Sequence, residues 1–184
     1  TLDASGQYIS NLGALSALKE LTELNLADNE LTTLSSLKEL TELQKLDVSG
    51  NEIVVFGTAG KLQNLQYLSM ADNPMKEIDL STLSGLTNLT ELNVSGCGIE
   101  SIDGINTGNL TTLNVSYNQI DSAAALEKAE KLRTLDISYN MLTEADGLKS
   151  CISLQELSME GNPLESIAGI EPLAELTNIN LAQT

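Results

Sequence analysis

Histidine is absent from this sequence, and with it every catalytic arrangement built on an imidazole base and every metal site built on imidazole ligands. Tryptophan is absent too, phenylalanine occurs once, at Phe56, and aromatics make up 3% of the chain, so any core must be aliphatic. Two cysteines, Cys97 and Cys151, are too few for a disulfide framework. Basic residues are scarce: 9 Lys and Arg stand against 26 Asp and Glu, a net charge of −17. That field repels a phosphate backbone, so neither nucleic acid nor an anionic membrane is expected as a partner, whereas a basic protein surface or cations would be attracted. Acidity also serves solubility alone, and composition leaves both readings open. No apolar run reaches the length of about 18 residues that a membrane helix needs. No basic segment followed by an apolar stretch opens the chain as a leader would. Signatures of P-loops, dinucleotide-binding turns, nucleophile elbows and EF-hand loops are missing. Carboxylate pairs abound, but in so acidic a chain they say nothing about glycosidase chemistry. The expectation is a non-enzyme with no cofactor and no metal.

What the chain does have is a repeat. Leu21, Leu24, Leu26, Asn29, Leu31 and Leu34 spell LxxLxLxxNxLxxL. The frame returns at Leu43-Leu46-Val48-Asn51-Ile53-Phe56, Leu65-Leu68-Met70-Asn73-Met75-Ile78 and Leu89-Leu92-Val94-Cys97-Ile99-Ile102. It continues at Leu110-Leu113-Val115-Asn118-Ile120-Ala123, Leu132-Leu135-Ile137-Asn140-Leu142-Ala145 and Leu154-Leu157-Met159-Asn162-Leu164-Ile167. A degenerate copy around Leu2, Ala4, Gln7, Ile9 and Leu12 precedes these seven, and a partial copy, Leu176-Ile179-Leu181, follows. The second leucine of each frame falls at 24, 46, 68, 92, 113, 135, 157 and 179, a period of 22 with two slips. One repeat gains two residues near Asp79-Leu80 and the next loses one within 106–109. Both slips avoid the x-Leu-x-Leu-x stretch, and a return segment tolerates length changes that a strand ladder does not.

The x-Leu-x-Leu-x stretch alternates with period two and reads as a half-buried strand too short to stand alone. Stacking predicts a parallel sheet of eight or nine strands, about 40 Å long. The return limb carries leucine at every third place, as at Leu34, Leu37, Leu40 and Leu43, which favours 3₁₀ turns over an α-helix. It is the wider limb, so the sheet should line the inside of a curve. The recurring Asn should form a ladder that pairs with backbone groups where the chain turns inward, within its repeat and with the next. Cys97 takes one rung as a small weak donor, and Cys151 occupies a return-limb leucine place. A bridge between the two is not geometrically reasonable.

Seven copies in one frame resemble the leucine-rich-repeat superfamily, in its 22-residue class, which includes the bacterial internalins and the regulatory subunits of protein phosphatase-1. The resemblance covers nearly the whole chain. It implies an α/β solenoid: a right-handed horseshoe with a parallel sheet on its concave face and 3₁₀, short-helical or extended segments on its convex face. It is expected as a single domain over 1–184. The start at Thr1 and the stop inside a repeat read as a piece of a longer protein, with apolar edges open to weak end-to-end association of an otherwise monomeric chain.

If the strand leucines point inward, their neighbours form columns on the concave face. Glu23, Lys45, Tyr67, Glu91 and Glu156 stand in the first, Asp47, Asn93, Asn114 and Asp136 in the second, and Glu160 in the third, among small Ser and Ala. Tyr117 and Tyr139 stand in a fourth column beside the turn. These twelve residues are the candidate partner-binding set. Two readings of the tyrosine pair compete: an anchor for a partner, since tyrosine buries large area at little entropic loss, or a stacked cover over the turn. The sequons at Asn88, Asn93, Asn109 and Asn114 would put glycans on the concave face at Asn93 and Asn114, which weighs toward a bacterial or cytosolic origin. The resemblance to internalins implies a bacterial surface or secreted module that holds a protein partner, without the flanking cap and immunoglobulin-like domain of those proteins. The alternatives are a cytoplasmic scaffold similar to the phosphatase-1 subunits, whose concave faces are richer in aromatics, and the recognition arm of a larger receptor or effector.

Overall fold

In the computed structural model the described residues are 1–57, 61–75 and 79–184. Among them nine short strands form one parallel sheet in chain order. They are β1 (Leu2–Asp3), β2 (Glu23–Asn25), β3 (Lys45–Asp47), β4 (Tyr67–Ser69) and β5 (Glu91–Asn93), then β6 (Thr112–Asn114), β7 (Thr134–Asp136), β8 (Glu156–Ser158) and β9 (Asn178–Asn180). The register follows the period read from the sequence: Leu24 pairs with Leu46, Leu46 with Leu68, Leu68 with Leu92, and so on to Leu157 with Ile179. Both slips fall between strands, so the ladder crosses them unbroken. Among the described residues no strand exceeds three residues, so each depends on its neighbours for stability.

The core is a continuous aliphatic column. Leu24, Leu46, Leu68, Leu92, Leu113, Leu135 and Leu157 are buried, and so are their partners two places on, Leu26, Val48, Met70, Val94, Val115, Ile137 and Met159. Phe56 is the bulkiest side chain in it. On the return side, 3₁₀ segments occur at Gly13–Ala17, Ser35–Glu39, Leu80–Leu83, Ala124–Lys128, Asp146–Leu148 and Ala168–Ile170. Three residues per turn bring every third side chain to one face, so Leu34, Leu37, Leu40 and Leu43 all turn inward and are buried. The two-residue insertion is absorbed by Asp79, whose carboxylate accepts the Ser81 N–H and starts the Leu80–Leu83 segment. The shortened repeat has no 3₁₀ segment between β5 and β6, and Ile105 and Thr107 are buried on a limb of turns and irregular backbone instead. Ile78, the sixth member of its frame, lies outside the described residues.

The asparagine ladder is built as its chemistry requires, with one difference from expectation: each rung reaches the preceding repeat. Asn51 Nδ2 donates to Val48 O and Ser49 O of its own turn and to Leu26 O, while its Oδ1 accepts the Leu31 N–H. Asn73, Asn140 and Asn162 repeat the pattern. Backbone N–H groups run both ways between repeats: Leu26 N–H donates forward to Asp47 O, whereas Lys45 N–H donates back to Thr22 O. At both ends the column is less covered: Leu18 and Ile179 are exposed hydrophobic residues, and β9 is exposed throughout.

Candidate functional site

The aligned register stacks the first-column side chains one above the next: Glu23, Lys45, Tyr67, Glu91, Thr112, Thr134, Glu156 and Asn178. Over β1 to β5 they border an open hollow of about 590 Å³, lined by Asp3, Glu23, Asn25, Lys45, Asp47, Tyr67 and Glu91 among others. Lys45 is the only cationic side chain among its lining residues, and its ammonium lies 3.8 Å from Glu23. Both side chains are about half exposed, so water screens the pair and it neutralises little. Burial, then the charges of Asp47 and Glu91, raise the Tyr67 hydroxyl above the ordinary tyrosine range, so it stays a neutral donor. A smaller hollow of about 240 Å³ lies over β7 to β9, where Asp136 and Glu156 meet Asn178 and Asn180. Asn93 and Asn114 lie between the two, half-buried on β5 and β6.

The second and third columns are less free than alternation alone implies. Asp47 Oδ1 accepts the N–H of Ser49, 2.9 Å, and also its hydroxyl. Asn25, Asn93, Asn114, Asp136 and Asn180 accept the N–H two residues on in the same way. These are Asx turns that end each strand. In the third column Ala71, Ser116 and Ser138 are buried and do not stand on the concave surface, as strict alternation predicts they should, whereas Ala27, Ser49, Ser95 and Glu160 stay half-buried. Acidic residues of the second column therefore present one carboxylate oxygen to solvent while the other holds the turn.

The fourth column has a conformation of its own. Gly6, Asp28, Gly50, Asp72, Gly96, Tyr117, Tyr139, Gly161 and Gln183 all have positive φ, between 53° and 69°. Glycine adopts this left-handed region freely, whereas a bulky side chain there is disfavoured by about 1 kcal/mol or more. Each larger residue leans over its successor: the Asp28 carboxylate covers Gly50, the Asp72 carboxylate covers Gly96, and the Tyr139 ring covers Gly161, leaving no room for a β-carbon at any of the three. Tyr117 leans on Tyr139, with ring centroids 4.5 Å apart and planes 11° from parallel. The Tyr139 hydroxyl donates to Glu160 Oε1, and Asn180 Nδ2 donates to Oε2 at 2.7 Å. These bonds hold the Glu160 carboxyl below its ordinary range, and the same carboxylate pushes the Tyr139 hydroxyl up to about 12.

The twelve candidate residues thus fall into four places. Glu23, Lys45, Asp47, Tyr67 and Glu91 share the large hollow. Asp136 and Glu156 share the small one. Tyr117, Tyr139 and Glu160 make a cluster on the rim, and Asn93 and Asn114 serve turns between the hollows. Asp3, Asp72 and Asn180 belong to these places and were not singled out from sequence. The signal for Asp72 was present in the fourth column as glycine at every second repeat before Tyr117.

Comparison with known proteins bears on this geometry. Residues 19–56, 63–107, 87–128, 108–150 and 130–175 match the family described as "Leucine Rich repeats (2 copies)". This chain is a leucine-rich-repeat protein. Among solved structures it is similar to internalin C2 of Listeria monocytogenes, at 27% identity and a TM-score of 0.90, over 97% of this chain and 79% of that one. Internalin F of the same organism superposes at a TM-score of 0.92 with 23% identity, over 97% of this chain and 53% of that one, a likeness of fold. TLR13, solved in complex with a single-stranded RNA, matches at 29% identity and a TM-score of 0.81, over 94% of this chain and 26% of that one. No curated protein matches the sequence at a comparable level of significance.

Within the leucine-rich-repeat frame, both cysteines are structural in position. Cys97 and Cys151 are free and buried, and burial raises each thiol to about 11. Cys97 Sγ donates to Met70 O at 3.2 Å, in the place of a rung amide. A thiol offers no carbonyl oxygen, so the Met75 N–H turns to Asn73 O and Cys97 O instead. Asn118, the rung above, takes up both the Cys97 and Ile99 N–H groups on one oxygen. Of the sequons, Asn88 and Asn109 are committed to Gln63 O and Thr87 O. Among the described residues no helix is long and apolar enough to cross a membrane. Leucine-rich repeats of this kind are in general non-catalytic interaction modules, and the internalin-like architecture is compatible with that role.

Proposed function

We propose that residues 1–184 act as one recognition unit that binds a protein with a Lys- and Arg-rich surface on the concave face, as part of a bacterial surface or secreted protein. The observation that carries this is the stacking of Glu23, Asp47, Glu91, Asp136 and Glu156 along one exposed sheet face, with Lys45 as the cation of the large hollow already beside Glu23. A long-range field of one sign over a hollow surface steers and orients an oppositely charged partner. The similarity to internalin C2 supports the surface or secreted setting. The single-stranded RNA in the TLR13 complex belongs to that protein; a net charge of −17 argues against a polyanion here.

The test is affinity against salt for a captured partner, with the intact face and with Asp47→Asn, Glu91→Gln, Asp136→Asn and Glu156→Gln combined. The Asn replacements keep the oxygen that holds each turn. Affinity should fall at least about tenfold between about 50 and 500 mM NaCl, and the combined variant should lose most of that dependence. A flat salt response of the intact face excludes electrostatic complementarity.

A further inference from the structure

The tyrosine pair sits where the backbone disfavours it. At the fourth-column position five of the nine repeats use a residue other than glycine, and two of those five are the bulky Tyr117 and Tyr139, at φ 55° and 53°. Ordinary packing does not account for both. Tyr139 is half-buried, stacked and hydrogen-bonded to Glu160, which suits a cover over Gly161. Tyr117 is 61% exposed. One of its faces rests on Tyr139, and the other looks toward the repeat of Gly96, which carries no side chain. The Asp72 carboxylate lies over Gly96. The open face of Tyr117 is therefore turned to the side on which the Asp72 carboxylate leans over Gly96, with roughly 10 Å between the backbones that bear the two side chains.

A planar cation fits such a place. The face of a tyrosine ring attracts cations through its quadrupole, and a guanidinium stacks on it while offering N–H groups in its own plane to a carboxylate. Glu160 strengthens the attraction from behind, because its negative charge is coupled through the Tyr139 hydroxyl to the stacked pair. We propose that the open Tyr117 face and the Asp72 carboxylate over Gly96 form a rim subsite for an arginine side chain of the protein partner. This rests on the reading of a basic protein partner and names one contact of it. An ammonium, being compact and strongly hydrated, gains less from stacking than a guanidinium does.

The probe is N-acetyl-arginine amide, titrated into the protein while the Tyr117 ring resonances and the probe's δ-methylene resonances are followed by NMR. N-acetyl-citrulline amide, of the same shape without charge, is the control. Arginine amide should move both sets of resonances in a saturable way, and citrulline amide should bind at least about twofold more weakly. Tyr117→Leu should weaken arginine amide about two- to fivefold, Asp72→Asn should weaken it similarly, and Tyr117→Phe, which keeps the ring face, should retain it. Equal responses to arginine and citrulline amides, or an unchanged response in both Tyr117→Leu and Asp72→Asn, overturn the proposal. Folding of each variant is checked on resolved resonances of β6 and β7. No protein partner is present in this titration, so its failure leaves the concave-face reading standing. Failure of that reading in the salt experiment leaves this result untouched.

Discussion

A rung asparagine makes several buried bonds from one short side chain. Asn118 donates to Val94 O, Val115 O and Ser116 O and accepts from Cys97 N and Ile99 N. Removing it strands backbone groups that water does not reach, and each stranded group carries about 1–3 kcal/mol. Asn118→Ala should lower stability by about 3–5 kcal/mol in urea denaturation, without a change in the far-ultraviolet signature of what remains folded. The thiols give a second expectation at this scale. Burial raises Cys97 and Cys151 from 9.0 to about 11, so the folded state holds these protons more tightly than the unfolded chain. Their contribution is complete below pH 9 and is lost as pH rises through about 11. Unfolding midpoints should fall between pH 9 and pH 11, and Cys151→Ala should fall less steeply than the unaltered chain, whatever its stability at pH 7.

Elements here are positioned by close approach as much as by hydrogen bonds. The 3₁₀ segments at Asp146–Leu148 and Ala168–Ile170 stack through glycine: a β-carbon on Gly169 would collide with the Ala145 carbonyl, and one on Gly147 with that of Ala123. Gly13 begins the comparable Gly13–Ala17 segment, yet a β-carbon there would meet only the end of the Asn11 side chain, at 3.1 Å. Gly169→Ala should therefore be destabilising by about 2–3 kcal/mol through overpacking, and Gly13→Ala should lie within about 0.5 kcal/mol of the parent. Comparing the two urea midpoints checks this, and equal midpoints would show that the convex stack has slack. The 3₁₀ character of these segments was legible in the three-residue leucine period. Their glycine contacts were not, because they depend on how closely successive coils approach on the convex side.

At the scale of the whole molecule, stability is a sum over neighbours, since each coil touches only the coils beside it. Strands β5 to β7 have paired neighbours on both sides, whereas β9 is exposed along its length and Ile179 is 44% exposed. Native-state hydrogen exchange should show protection highest in the middle strands and falling toward each end. Leu113→Ala should lose about 3 kcal/mol and Ile179→Ala less than about 1 kcal/mol; similar losses at the two positions would contradict a nearest-neighbour array.

The period of 22 determined by itself which residues pair, which leucines are buried and which first-column side chains share the exposed face, because a parallel ladder with one buried side admits one register. The tertiary structure alone decided that Ser116 and Ser138 turn inward, that the fourth column is left-handed, and that Tyr117, Tyr139 and Glu160 meet on the rim while Asp72 leans over Gly96. Alternation describes a side chain only while the strand lasts. Past its third residue the backbone turns, and contacts between coils decide where each side chain goes.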